Sequence, residues 1–288
     1  MYDIAIVGSR GFLGGAIVRA LRDTVSTVSC ITRQTPIVSD GVLQPSVSGV
    51  STIVWAAGGI SPLVAFEDPD AVTAELVHFR DTLDVLSEQE HPPRLILLSS
   101  GGAVYGSPPE PPFSERNVPR PPNAYGQYKL RQEDVARESA LEVTALRVSN
   151  AYGPGQQGVR GQGVLGVWMR SALAGSPIRI YGDAGVARDY VFVDDVADAV
   201  LKTIGAPHAP DVLNIGSGVP TSLQQLLDAL TSVVSDEIEI RVERGEARGI
   251  DPDSTWLDVG RAAATIAWAA ETPLDVGIGR MWEWVRCL

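Results

Sequence analysis

The strongest constraint on the fold lies in the first fifteen residues. Residues 2–7 read YDIAIV, a short apolar strand. Gly8-Ser9-Arg10-Gly11-Phe12-Leu13-Gly14 follows at once, and residues 15–21 open an apolar helix. A strand that turns through closely spaced glycines into a helix builds a site for a dinucleotide pyrophosphate. Gly8 permits the tight turn, Gly11 lets the backbone approach phosphate, and Gly14 lets the helix pack on the strand. The helix N-terminus offers the anion free N–H groups and the positive end of its dipole. Glycine triplets also occur in ordinary turns, so the reading rests on their place between strand and helix.

The chain has 288 residues, enough for one large α/β unit or a core with a smaller lobe. Its net charge of −12 argues against a nucleic-acid or anionic-membrane partner, either of which needs a basic face. An anionic small molecule is not excluded, because a few placed arginines suffice. Cys30 and Cys287 stand far apart and form no disulfide or metal motif, which points to a reducing, cytoplasmic setting. Residues 1–20 lack the cationic start of a signal peptide, and no apolar run reaches membrane-spanning length.

Strand-like runs at 25–31, 52–57, 94–100 and 143–148 alternate with helical runs at 71–87 and 124–140. This alternation predicts an α/β fold built on a doubly wound parallel sheet. Residues 33–50 are turn-rich, so the first half of the sheet looks trimmed there. After Asn150 the pattern loosens. Helices are expected at 163–174, 195–204, 222–234 and 274–285, and strands at 178–180, 190–193, 212–215 and 237–242. Some of these pieces should rejoin the sheet and the others form a smaller lobe over its carboxyl edge, where ligands bind in such folds.

Tyr125 and Lys129 are four residues apart in a helical stretch, hence on one face. An ammonium beside a phenol favours the phenolate, so the Tyr125 pKa is expected to fall toward neutrality and to suit proton exchange with an alcohol or carbonyl oxygen. By itself this spacing is common on surface helices. Combined with GSRGFLG at 8–14, LLSSGGAVYG at 97–106, NAYGQYK at 123–129, LRVSNAYGPGQ at 146–156, GDAGVARDYVFVDDVADAV at 182–200 and LNIGSG at 213–218, it resembles the extended short-chain dehydrogenases/reductases that act on nucleotide sugars as epimerases, dehydratases and ketoreductases.

The resemblance implies a Rossmann-type sheet, with residues 1–155 mainly dinucleotide-binding. Residues 156–288 would mainly form an α/β lobe for a nucleoside-diphosphate sugar (TDP or UDP), with some segments returning to the sheet. It implies Tyr125 as general acid/base, with Lys129 holding the ribose hydroxyls. Cofactor contacts would come from Gly8, Arg10, Gly11, Phe12, Leu13, Gly14, Thr32, Arg33, Ala56, Ala57, Gly58, Ser99, Tyr125, Lys129 and Val148. Substrate contacts would come from Gly101, Gly102, Asn150, Val164, Tyr181 and Arg188, with Asn150 and Arg188 on the pyrophosphate. A homodimer through a four-helix bundle of the helices near 71–87 and 124–140 also follows from it. An Arg188 salt bridge to Asp183 or Asp189 is the bland alternative. Asp194 and Asp195 read as caps of the following helix.

Three departures matter. The position four before the tyrosine of VYG, where the family carries a catalytic Ser or Thr, is Gly101, and Ser100, the nearest hydroxyl, is the catalytic candidate that would replace it through a small shift. His78 stands where an asparagine is common. The acidic pair of family dehydratases is replaced by Gly102 and Ala103, which speaks against dehydratase chemistry.

The second strand ends Cys30-Ile31-Thr32-Arg33, without the carboxylate that binds a ribose 2′-hydroxyl in NAD sites. Arg33 and Arg10 suit a 2′-phosphate instead. The expectation is NADP(H), with NAD(H) possible, and reduction of a nucleotide-linked 4-keto (deoxy)sugar. A segment at 161–175 also resembles deoxysugar 4-ketoreductases. An NAD-dependent UDP- or TDP-sugar 4-epimerase is the alternative, and a non-catalytic NADP-binding sensor module the third. The nucleotide and the sugar depend on loops around 100–108, 150–165 and 245–258, the last with Arg248 and Asp253, to which no role is assigned.

Overall fold

Side-chain alternation decides the architecture. In strand β1 (Asp3–Val7), Ile4 and Ile6 enter one apolar cluster while Ala5 and Val7 enter another on the opposite face. Period-two burial on both faces is what a strand inside a doubly covered sheet requires. The computed structural model describes residues 3–22, 27–39, 41–107, 109–156, 163–234, 238–246 and 254–288. Arg248 and Asp253 lie outside the described residues, as do Val25 of the predicted second strand and residues 161–162 of the 161–175 segment.

From β1 the chain enters α1 (Phe12–Leu21) and β2 (Thr27–Ile31), then a small hairpin of β3 (Val38–Ser39) and β4 (Val42–Leu43). β5 (Thr52–Trp55) leads into α2 (Pro62–Glu67) and α3 (Pro69–Ser87). Both helices begin with proline behind a capping side chain: Ser61 accepts from Val64 N–H at 3.2 Å and Asp68 from Ala71 N–H at 2.9 Å. β6 (Arg94–Ser100) runs into the short α4 (Gly101–Val104), and α5 (Ala124–Glu138) starts under the Asn123 cap and precedes β7 (Val143–Val148).

Next come β8 (Asn150–Tyr152), α6 (Val164–Leu173), β9 (Ile178–Tyr181), β10 (Ala187–Phe192), α7 (Val193–Gly205), β11 (Val212–Ile215) and β12 (Pro220–Ser222). The trace closes with α8 (Leu223–Val234), β13 (Val242–Gly245), α9 (Gly260–Ile266) and α10 (Leu274–Arg286).

Six strands form one parallel sheet in the order β2-β1-β5-β6-β7-β11. The hairpin stands between β2 and β5 in the chain, and among the described residues no further strand pairs with β2 on the sheet edge, which is the trimming expected at 33–50. On one face Ile17 and Leu21 of α1 and Val196 and Val200 of α7 cover Ile4, Ile6, Val54 and Ile96. On the other, Phe79, Leu83 and Leu86 of α3 and Val135 of α5 cover Ala5, Ile53, Leu95 and Leu97. Each fully buried aliphatic side chain contributes roughly 1.5–3 kcal/mol. β11 and α7 are the later segments that rejoin the sheet. The remainder builds a three-stranded sheet, β12-β10-β8, and a parallel β13-β9 pair beside α6, α8 and α10. Among the described residues no helix is long and apolar enough to cross a membrane.

Three expectations need correction. The strand expected at 237–242 is β13, shifted to Val242–Gly245, because pairing with β9 sets its register. Asp195 does not cap α7. Its carboxylate accepts from the Thr272 N–H at 3.1 Å and hydroxyl at 3.0 Å and so ties the last helices to α7. Asp194 faces Arg280 at 3.8 Å instead.

Candidate active site

Strands diverge between β1 and β5: one connection from β1 winds to β2, and the others wind the opposite way. A crevice opens at the carboxyl ends of strands at such a point. Here it is a cleft of about 1350 Å³. The glycine turn forms its floor. Gly8 has φ +85°, and a Cβ on it would stand 2.7 Å from Ala57 N. A Cβ on Gly14 would stand 2.2 Å from the Gly8 carbonyl, so Gly14 serves helix packing and does not itself line the cleft. The N-terminus of α1 carries no capping side chain.

Most of the other predicted residues converge on this cleft: Gly8, Arg10, Gly11, Phe12, Leu13, Thr32, Arg33, Ala56, Ala57, Gly58, Ser99, Ser100, Gly102, Tyr125, Lys129, Val148, Asn150, Val164, Tyr181 and Arg188. Arg10 and Arg33 are exposed in it, and neither makes a hydrogen bond or ion pair with another described residue. Thr32 and Thr35 bond each other at 3.0 Å and shape the loop that carries Arg33. These features fit a nicotinamide dinucleotide: a cradle that any Cβ would fill, a bare helix N-terminus and two unengaged guanidiniums.

Gly101 is the exception. A Cβ there would meet Leu257 Cδ1 at 2.6 Å and the Arg147 carbonyl at 2.8 Å. The side-chain position is packed into the wall, and Gly101 is not among the residues that line the cleft. Both preceding serines line the cleft, but the Ser99 hydroxyl is engaged by Glu133, and Ser100 makes no side-chain bond to another described residue.

Tyr125 and Lys129 sit in the first two turns of α5. Lys129 is buried, and its ammonium donates to the Leu98 carbonyl at 3.2 Å and to Gln132 Oε1 at 3.0 Å. Burial lowers its pKa from 10.5 to about 8. Burial pushes the Tyr125 phenol up, to about 12. The expected fall in the Tyr125 pKa is therefore overturned. Loss of solvation sets the direction of the shift.

Beneath the cleft runs a polar chain that the sequence reading missed. Arg147 (4% exposed) forks onto Glu133 (1% exposed) with bonds of 3.0 and 2.7 Å. Its remaining arm donates to Tyr105 Oη at 2.8 Å, and Tyr105 donates to Asn214 at 2.9 Å. Asn214 in turn donates to the carbonyls of Phe113 and Asp258. The chain fastens β6, β7, β11 and α5 together just below the Ser99-Ser100 end. Asp189, beside Arg188, is likewise occupied: it accepts from Ser149, Ser217, Gly218 and Leu257.

Glu75 and His78 also line the cleft from α3. His78 was weighed in the sequence and Glu75 was not. The available signal was their three-residue spacing, which puts both on one helix face.

Residues 4–216 match the model of the NAD dependent epimerase/dehydratase family. A UDP-glucose 4-epimerase of Mycolicibacterium smegmatis is 34% identical over 200 residues, which is 67% of this chain and 62% of the relative. A dTDP-4-dehydro-6-deoxyglucose reductase of Escherichia coli is 32% identical over the same shares of each chain. The matched stretch thus spans about three fifths of those curated relatives. Among solved structures, UDP-glucose 4-epimerase of Thermotoga maritima with UDP-glucose superposes with TM-score 0.85 at 25% identity, covering 99% of both chains. MoeE5 in complex with UDP-glucuronic acid and NAD does so with TM-score 0.86 at 26% identity and the same coverage.

Proposed function

The chain belongs to the NAD dependent epimerase/dehydratase family, and we propose that it is an NADPH-dependent reductase of a nucleoside-diphosphate 4-keto (deoxy)sugar. The observation that carries this reading is the pair of unengaged guanidiniums, Arg10 and Arg33, in a cleft whose second strand ends without a carboxylate. A bound nicotinamide dinucleotide supplies the hydride. Gly8, Gly11 and the α1 N-terminus hold its pyrophosphate, and Arg10 and Arg33 its 2′-phosphate. Lys129 holds ribose hydroxyls.

Tyr125 gives its proton to the C4 oxygen of the sugar. A phenol pushed up to about 12 is protonated at neutral pH, the state a reduction must start from. Ser100 bonds the same oxygen in place of the hydroxyl absent at Gly101. Asn150 and Arg188 bind the substrate pyrophosphate, with Gly102, Val164 and Tyr181 around the nucleotide sugar (UDP or TDP). The exposed apolar Leu63, Phe66 and Val77 beside α3 and α5 fit a homodimer through those helices. Two exposed, unbridged cysteines fit a reducing compartment such as the cytoplasm.

A 4-epimerase working on bound NAD is the second reading, supported by the epimerases among the relatives. Purified protein offered NADPH and a dTDP-4-keto-6-deoxysugar should consume the two in equal amounts. Interconversion of UDP-glucose and UDP-galactose without net use of cofactor would replace the reductase by the epimerase. In either case Tyr125→Phe should lower turnover about 10²–10⁴-fold while cofactor binding persists. Unchanged function would leave only the sensor module.

A further inference from the structure

The acid absent from the end of β2 has a counterpart elsewhere in the chain. A Cβ built on Gly59 would stand 3.1 Å from Arg33 Nη2 and 3.3 Å from Glu75 Oε2. The two charged tips therefore flank one point on the cleft wall, although one comes from the β2 loop and the other from α3. They form no ion pair, and Glu75 has no hydrogen-bond partner among the described residues. A half-buried carboxylate left without donors in a ligand cleft offers acceptors only, so it suits hydroxyl groups and repels phosphate. The loop after the second strand of such folds faces the ribose 2′ position, and Arg33, two residues past β2, carries Glu75 with it beside that loop.

We propose that Glu75 is a cofactor-specificity residue that opposes Arg33 at the ribose 2′ position. Glu75 accepts from the 2′-hydroxyl of NAD(H), and Arg33 bonds the 2′-phosphate of NADP(H). The chain then discriminates between the two cofactors less than its arginines alone would make it. The proposal rests on the reading of Arg33 as the 2′-phosphate ligand. A competing role for Glu75 is structural. The buried Tyr128 hydroxyl has no partner among the described residues; Glu75 is near enough to push its pKa up, behind the larger effect of burial, and it also raises that of Lys129.

The test is direct titration of the full chain with NADPH and with NADH, read as two dissociation constants by nicotinamide fluorescence. Glu75→Gln should raise the NADPH-over-NADH preference about tenfold or more, because it removes the repulsion between one unit charge and the 2′-phosphate. Glu75→Asp, which keeps the charge, should leave the preference within about twofold. Arg33→Ala should lower the preference. An unchanged ratio in Glu75→Gln with a lowered ratio in Arg33→Ala overturns the role of Glu75 alone. An unchanged ratio in Arg33→Ala overturns the reading of Arg33. If both constants weaken equally in Glu75→Gln and Tyr128→Phe mimics that effect, Glu75 is structural and the proposal fails. Should Glu75→Gln not fold, Glu75→Ala carries the same comparison.

Discussion

Two acid–guanidinium couples, whose acids both act on Lys129, behave in opposite ways. Glu133 and Arg147 are sealed beneath the cleft, joined by a two-armed bond and extended on both sides by Ser99, Tyr105 and Asn214. Glu75 and Arg33 face each other across Gly59, open to the cleft and unbonded. The chemical groups are the same and the setting differs. In the buried couple every charge must find a partner, because desolvation costs several kcal/mol per ion. In the open couple water satisfies both groups until a ligand displaces it. The inner couple holds the strand ends in register, and the outer couple is available for recognition.

The largest expected effect falls on the inner couple. Glu133→Ala strands the Arg147 charge and should cost about 3–5 kcal/mol in urea unfolding. A loss no larger than that of a surface substitution would erase the contrast between the couples. Gly101→Ser, which restores the family hydroxyl, pushes a Cβ into Leu257 and the Arg147 carbonyl just above the inner couple. It should cost about 1–3 kcal/mol, with part recovered by Leu257→Ala. A stable, more active Gly101→Ser variant would mean that the wall yields and the site is open there.

Lys129, between the couples, sharpens the comparison through pH. Its pKa is about 8 folded against 10.5 ordinarily, so between those values the unfolded chain holds a proton that the folded chain has lost. Stability contributed by this residue therefore rises with pH above about 8, while below it the full penalty of the buried ammonium persists. The stability of the native chain relative to Lys129→Met should increase from pH 8 to about 9.5, below the range in which tyrosines ionise. A flat difference would show Lys129 to be solvated like the outer couple. The smallest effect is expected for Arg33→Ala, whose unfolding free energy should stay within about 0.5 kcal/mol of the native chain. A larger loss would mean that the outer couple also holds the fold together.

Which of these features could be read in advance follows from their range along the chain. The glycine turn, the Tyr125/Lys129 spacing and the trimmed stretch at 33–50 are local patterns, and all three were legible. The inner couple joins residues 99, 105, 133, 147 and 214. No spacing announces it, since each partner alone reads as an ordinary polar residue. Glu75 was hidden for the same reason: on an amphipathic helix it resembles any solvated acid, and only the packing of α3 on the sheet turns it toward Arg33. Asp195 was misread because capping is the local expectation for an acid in a first helical turn, whereas its partner, Thr272, is 77 residues away. The Tyr125 pKa was misjudged because spacing reveals charge proximity but not solvation.

The amino-acid sequence by itself determined a parallel sheet wound from a glycine turn and a helix that carries a tyrosine and a lysine on one face. Both follow from steric and periodic rules that act over a few residues. Tertiary structure alone decided that Gly101 lies in the wall, that burial pushes the Tyr125 pKa up, and that an acid from α3 comes near an arginine from the β2 loop. Those outcomes depend on which distant segments exclude water from one another, and that is settled only when the layers pack.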